Sequence, residues 1–133
     1  MRTRAPVDAE SVVIAALKSV LALGPTGRVA ARTPDNLESY ARFVQVQRAG
    51  GPSDRFASYP VMYVASFAPS YDAAAALAVD VDDAFMHALP GTVIAGGRIQ
   101  DVEGRSGPSP LDYENPLVVR FQAVYSLAVC PVG

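Results

Sequence analysis

The segment LVVRFQAVYSLAV, Leu117–Val129, carries the strongest secondary-structure signal in the chain. Every odd-numbered position in it is apolar, whereas Arg120, Gln122 and Ser126 place polar side chains at even positions. Successive side chains of a β-strand point to opposite faces of the sheet. The period of two therefore predicts a long strand with one buried face and one mixed, partly wet face.

Three further segments are predicted to be strands. In Arg42–Arg48, valine and glutamine alternate from Val44 to Gln47, which again indicates one wet face. Pro60–Phe67 is apolar on both faces, a pattern typical of a central or doubly covered strand. Arg28–Arg32 can form a shorter strand.

Two segments are predicted to be helices. The first runs from Asp8, which can cap free amides, to about Leu23, where Gly24-Pro25 stops it. The second is capped by Ser70 and runs over Tyr71–Leu89. Its apolar stripe comprises Ala74, Leu77, Val81, Ala84, Phe85 and Ala88.

The first helix has more apolar surface than one narrow stripe needs. A stripe at helical spacing comprises Val13, Leu17, Val20 and Leu21, and Val12 and Ile14 lie on its flanks. Two interpretations remain open for these flanking residues. They form the edge of a wide core stripe, or they are buried against another subunit.

A segment rich in glycine, proline and serine lies before the last strand. Val93-Ile94 and Arg98–Val102 read as short strands, and Glu103–Asn115 is predicted to be a loop. Loops of about a dozen residues are uncommon unless they are functional or disordered. We expect this one to project from the sheet, to be mobile in a free subunit and to become ordered in an assembly. Its proposed contacts are the charges Arg105, Asp112 and Glu114 and the anchors Leu111 and Tyr113.

These elements together predict an α+β fold. We expect a mostly antiparallel sheet of four to five strands with two helices packed on one face, because the connections between consecutive strands are too short for crossover helices. Residues 1–133 are expected to form one domain. No segment has the length of apolar sequence that a membrane span needs, so we expect a soluble, unprocessed protein without a membrane partner.

Composition excludes several classes of site. The net charge is −2, from 11 Lys+Arg and 13 Asp+Glu, which gives no basic face for tight non-specific DNA binding. Cys130 and His87 are the only residues of their types, so neither a disulfide framework nor a Cys/His zinc site is possible. We expect no cofactor.

The few candidates for chemistry have simpler interpretations. His87 follows Asp83 by one helical turn, so an ion pair explains it without a catalytic role. Asp80, Asp82 and Asp83 could hold a divalent ion, but they are more typical of a solvated helix face. No catalytic or metal-binding residue is therefore predicted.

Several phrases in the sequence resemble the tail terminator proteins of long-tailed, non-contractile phages, particularly those of actinobacterial hosts. They are the helix ending near Gly24-Pro25, the phrase Phe43–Arg48 followed by Gly50-Gly51, the phrase Ala65–Ala68 before an alanine-rich helix, and Gly96-Gly97 before a polar segment. The resemblance covers essentially the whole chain.

The resemblance implies a structural role in the virion. Such a protein forms a hexameric ring on the last ring of the tail tube, stops tube growth and presents a surface to the head–tail connector or stopper protein. DNA passes through the lumen without specific binding. The expected location is the neck of the virion tail, and the host cytoplasm during assembly. Another neck or head–tail completion protein, or a small ligand-binding or catalytic α+β domain, are the alternatives.

A closed ring needs contacts between copies of the chain. The candidate interface residues come from the helix flank and from the predicted loop tips; Arg55 and Arg105 are also the loop-tip arginines that could meet passing DNA. The set is Val12, Ile14, Arg55, Arg105, Leu111 and Tyr113.

Overall fold

The structure, a computed structural model, describes residues 8–53 and 57–132. These residues form two helices and one six-stranded sheet. The helices are α1 (Ala9–Leu21) and α2 (Tyr71–Asp83), the latter extended by a π-helical turn over Ala84–Ala88. The strands are β1 (Gly27–Ala30), β2 (Arg42–Arg48), β3 (Val61–Ala68), β4 (Val93–Ile94), β5 (Gly97–Leu111) and β6 (Val119–Pro131).

Short polar side chains start both helices, as predicted. The Asp8 carboxylate accepts a hydrogen bond from the Ser11 amide at 3.3 Å, and the Ser70 hydroxyl accepts one from the Ala73 amide at 3.2 Å. Helix α1 ends at Leu21, and its C-cap residue Ala22 adopts a left-handed conformation with φ 46°. None of the described helices is long and apolar enough to cross a membrane.

The sheet has the strand order β1-β2-β3-β6-β5-β4. The α+β class is confirmed, with both helices on one face of the sheet, although the sheet has six strands rather than four to five. All neighbouring strands are antiparallel except β1 and β2, which are parallel. Residues 31–41 make the β1–β2 connection with a single 3-10 turn, Leu37–Ser39, instead of a full crossover helix.

The main core lies between the helices and one face of the sheet. From Ala123 to Val129 the odd-numbered row of β6 points into it, as its period of two predicted, and Val44, Val46, Met62 and Val64 contribute from β2 and β3. Leu117, which the predicted row included, precedes β6 and is 62% exposed. Val12 is 1% exposed and belongs to this core. The wide core stripe is therefore the interpretation that describes Val12. Val20, which the predicted stripe also included, is 42% exposed and lies outside the core.

The predicted loop Glu103–Asn115 is wrong over most of its length. Strand β5 continues through Leu111, and it pairs with β6 as far as Leu111 opposite Arg120. Register shifts at Ile99/Asp101, Gly104/Ser106 and Ser106/Ser109 interrupt the pairing. Proline and glycine are tolerated in an edge strand and at bulges, and β5 has both features here. The expected projecting loop is therefore wrong from Glu103 to Leu111, and its mobility in a free subunit stays a prediction.

The opposite face of the sheet, called here the outer face, has a small apolar cluster at one end. Leu37, Phe43, Ala65, Phe67 and Val118 are buried there, and Tyr40 and Tyr113 pack against them. The rest of the outer face carries partly exposed polar side chains, among them Gln45, Gln122 and Ser126. The half-wet sheet predicted from the glutamines is therefore present.

Candidate assembly surfaces

The predicted interface residues lie in different parts of the fold. Val12 is enclosed by the core and is not available to a second chain. Ile14 is half-buried and packs against the same core. Arg55 lies outside the described residues. The structure therefore does not bring the five described candidates together into one patch.

Arg105 and Leu111 both lie on the exposed part of β5. The Arg105 Nε donates a 2.7 Å hydrogen bond to the Ser126 hydroxyl of β6, which holds this side chain against the outer face. Leu111 is the last residue of the strand and is 46% exposed. These two residues remain predictions for an interface, now on a strand instead of a loop.

Tyr113 packs within its own chain. Its ring lies 4.9 Å from the ring of Phe67 in an edge-on arrangement, and the Arg120 guanidinium carbon lies 5.1 Å from its centroid. The same guanidinium donates a hydrogen bond to the Asp112 carbonyl. These contacts hold the connection between β5 and β6 against the outer-face cluster, so Tyr113 is a partly buried internal anchor.

One edge of the sheet is a long, open strand. Beyond Ile99, whose backbone bonds to Gly91 and Thr92, β5 pairs only with β6, and the described part of the chain places no strand along its other side. Most of the side chains from Glu103 to Leu111 are exposed. A strand edge with free N–H and C=O groups is a template for pairing with another chain. Bulges and prolines such as those of β5 limit how many residues can pair in this way.

The other edge of the sheet borders a basic groove of about 250 Å³. The groove lies between the end of α1 and β1, where Lys18 and Arg28 are exposed and Leu23 and Val29 form a buried apolar floor. The close approach depends on Gly27, because a Cβ there would lie 2.4 Å from the Cβ of Leu23. Among the described residues, no acidic side chain lines this groove.

A buried tyrosine fixes α2 on the sheet, and the sequence analysis missed it. The Tyr125 hydroxyl donates a 2.6 Å hydrogen bond to Asp82, and its ring stacks on Phe85 at 4.1 Å. Burial, together with the neighbouring carboxylate, raises the pKa of Tyr125 far above its usual value. The sequence did contain a signal for this contact, because Tyr125 places a hydroxyl in the otherwise apolar odd-numbered row of β6. A buried tyrosine hydroxyl usually has a hydrogen-bond partner.

The remaining candidates for chemistry are on the helix surface. The His87 Nε2 lies 3.8 Å from the Asp83 carboxylate, and both side chains are about three-quarters exposed. Such pairs contribute little to stability. Within residues 8–53 and 57–132, no three His, Cys, Asp or Glu side chains come together as metal ligands.

Comparison with known proteins gives a likeness in fold. No family model matches the chain, and no curated protein matches it. Among solved structures, the chain is similar to a chain of the structure described as "Virion of native gene transfer agent (GTA) particle". The TM-score is 0.63 at 20% sequence identity, and the match covers 92% of this chain and 94% of that chain. The likeness therefore shows a shared fold over nearly the whole length of both chains.

Proposed function

We propose that this chain is a structural protein of a phage or phage-like virion, and that it acts as a tail terminator. The observation that carries the proposal is the fold shared with a chain of a gene transfer agent virion over 92% of this chain and 94% of the other. The phrases that resemble tail terminators, such as Phe43–Arg48 before Gly50-Gly51, support the narrower role.

In this role, six copies form a ring on the last ring of the tail tube. The ring stops addition of further tube subunits and presents its other side to the head–tail connector or stopper protein, while DNA passes through the lumen without specific binding. The protein is thus located in the neck of the virion tail, and in the host cytoplasm during assembly. The role needs no catalytic group, cofactor or membrane.

The surfaces described above suit a protein that contacts copies of itself. A closed ring uses two different surfaces on each subunit, because each copy contacts one neighbour through one surface and the next neighbour through another. The sheet offers two such surfaces, the open edge of β5 at one end and the basic groove beside β1 at the other.

Tube-length control tests the proposal. Purified tail-tube subunits are allowed to polymerise with and without an excess of this protein, and the tubes are imaged by negative stain. We expect shorter tubes, each with a cap of this protein at one end. Tubes of unchanged length without a cap would contradict a terminator role. Binding of the protein to the connector alone would favour the alternative, another neck or head–tail completion protein.

A further inference from the structure

The open edge of β5 is a place where a second strand could be added to the sheet. Beyond Ile99, the described part of the chain places no strand along this edge. Free N–H and C=O groups on such an edge pair with the edge of another molecule unless the sequence prevents it. The backbone groups that face outward along β5 therefore decide whether two copies can join their sheets here.

The register of β5 on β6 shows which residues face outward. The Leu127 amide donates a 3.0 Å hydrogen bond to the Pro60 carbonyl, so the backbone of Leu127 faces the β3 side. Its partner Val102 therefore belongs to a non-hydrogen-bonded pair, and the N–H and C=O groups of Val102 face the open edge. The partners of the other odd-numbered β6 residues follow the same rule. Along this stretch the outward-facing positions in register are Val102, Gly104 and Pro110.

The N–H groups at the two ends of this row are not available to another strand. The Asp101 carboxylate accepts a 2.9 Å hydrogen bond from the Val102 amide, so the side chain next to the edge occupies its donor. Pro110 has no N–H group at all. Gly104, between them, keeps its donor, but a β-ladder needs a donor at every second residue.

Charge alone does not explain Asp101. The exposed stretch around it also contains Arg98 and Arg105, one on each side of Asp101 and Glu103, so this part of β5 is not strongly acidic. What distinguishes Asp101 from Glu103 is its bond to an outward-facing amide, because the backbone of Glu103 faces Ser126 of β6.

We propose that Asp101 and Pro110 close the open edge of β5 to strand addition, so that copies of the chain do not join their sheets there. The device belongs to the single subunit and does not depend on the proposed ring. In that ring, a neighbour contacts β5 through its exposed side chains instead of extending the sheet. Edge-to-edge pairing would be a competing association, and the Asp101 carboxylate suppresses it.

Self-association of the free subunit tests the proposal. Sedimentation velocity without tube subunits measures association beyond that of the wild type. Asp101→Ala frees the Val102 amide and should raise the association constant by at least about fivefold, which is the value of one hydrogen bond. Asp101→Asn should behave as the wild type does, because its side-chain oxygen still accepts a hydrogen bond although the charge is gone.

A matched control and a second variant complete the design. Glu103→Ala makes the same change in charge as Asp101→Ala, at an exposed position whose backbone faces β6, and it should not increase association. Pro110→Ala supplies an outward N–H group while Asp101 stays in place; it should increase association, and the double variant with Asp101→Ala should associate most strongly. Circular dichroism checks the folding of each variant.

Hydrogen exchange locates the contact. In dilute Asp101→Ala, the Val102 amide should exchange faster than in the wild type, and at high concentration it should become protected as copies pair. Folded Asp101→Ala and Pro110→Ala proteins that associate no more than the wild type would overturn the inference, as would equal association of Asp101→Asn or Glu103→Ala. Unchanged exchange at Val102 would do the same. Failure of the proposed function looks different, because it concerns the wild-type protein, which would then leave tail-tube length unchanged.

Discussion

Replacing Tyr125 by phenylalanine tests the contact that joins α2 to the sheet. The substitution keeps the ring that stacks on Phe85 and removes only the hydroxyl that donates to Asp82 at 2.6 Å. A hydrogen bond to a charged group contributes about 1.5–3 kcal/mol, and since Asp82 is only half-buried we expect about 1.5–2 kcal/mol here. For 133 residues this corresponds to a fall in Tm of about 5–7 °C.

Chemical denaturation and thermal unfolding measure this effect. The matched control is Tyr63→Phe, which removes the hydroxyl of a tyrosine that is 45% exposed and should change the free energy of unfolding by less than about 0.5 kcal/mol. A double-mutant cycle with Asp82→Ala should give a coupling energy of at least about 1 kcal/mol. A Tyr125→Phe protein as stable as the wild type, or a cycle without coupling, would refute the reasoning.

Three further predictions concern stability. Burial raises the pKa of Tyr125 in the folded state, so the stability that its neutral hydroxyl contributes is complete below about pH 10 and is lost above it. Urea titrations above that pH should show the free energy of unfolding of the wild type falling about 1.4 kcal/mol per pH unit more steeply than that of the Tyr125→Phe variant. Phe85→Ala should lower the free energy of unfolding at neutral pH by about 3–5 kcal/mol in the same titration, since this ring is fully buried. The double variant Asp83→Ala with His87→Ala should lower it by less than about 1 kcal/mol, because that ion pair is exposed. Gly51→Ala should lower Tm measurably, because Gly51 has φ 106° and an added Cβ would lie 2.1 Å from a backbone carbonyl oxygen; an unchanged Tm would show that this turn relaxes freely.

The elements with a clear hydrophobic period were predictable from the sequence. Strands β2 and β6 and both helices lie close to where their patterns placed them, because burial of one face imposes a period of two on a strand and of 3.6 on a helix. Strand β3 was predictable for another reason, since a short run that is apolar on both faces is typical of a central strand. The caps Asp8 and Ser70 were predictable for a local reason, since a short polar side chain next to the first turn satisfies free amides.

Strand β5 was not predictable in the same way. Its second half contains Gly107, Pro108 and Pro110, which locally favour turns. The long strand β6 overrides that preference, because its backbone groups from Arg120 to Val124 need partners on the side away from β3. Register shifts then absorb the residues that do not fit the pairing.

The candidate surfaces were harder still, since they join residues distant in sequence. Tyr125 and Asp82 are separated by 43 positions, and nothing local indicates that they meet. The basic groove beside β1 forms where α1 ends and β1 begins. Val12 on the flank of α1 was a candidate interface residue, but the sheet is wide enough to bury it within one chain.

Cryo-electron microscopy of the particles assembled from the genome that encodes this chain tests the central claim most directly. The account predicts one ring of six copies with this fold at the junction of tail tube and neck, on the last tube ring and below the connector. Particles in which the chain is absent, or in which it occupies a site away from the tail tube and neck, would contradict the account.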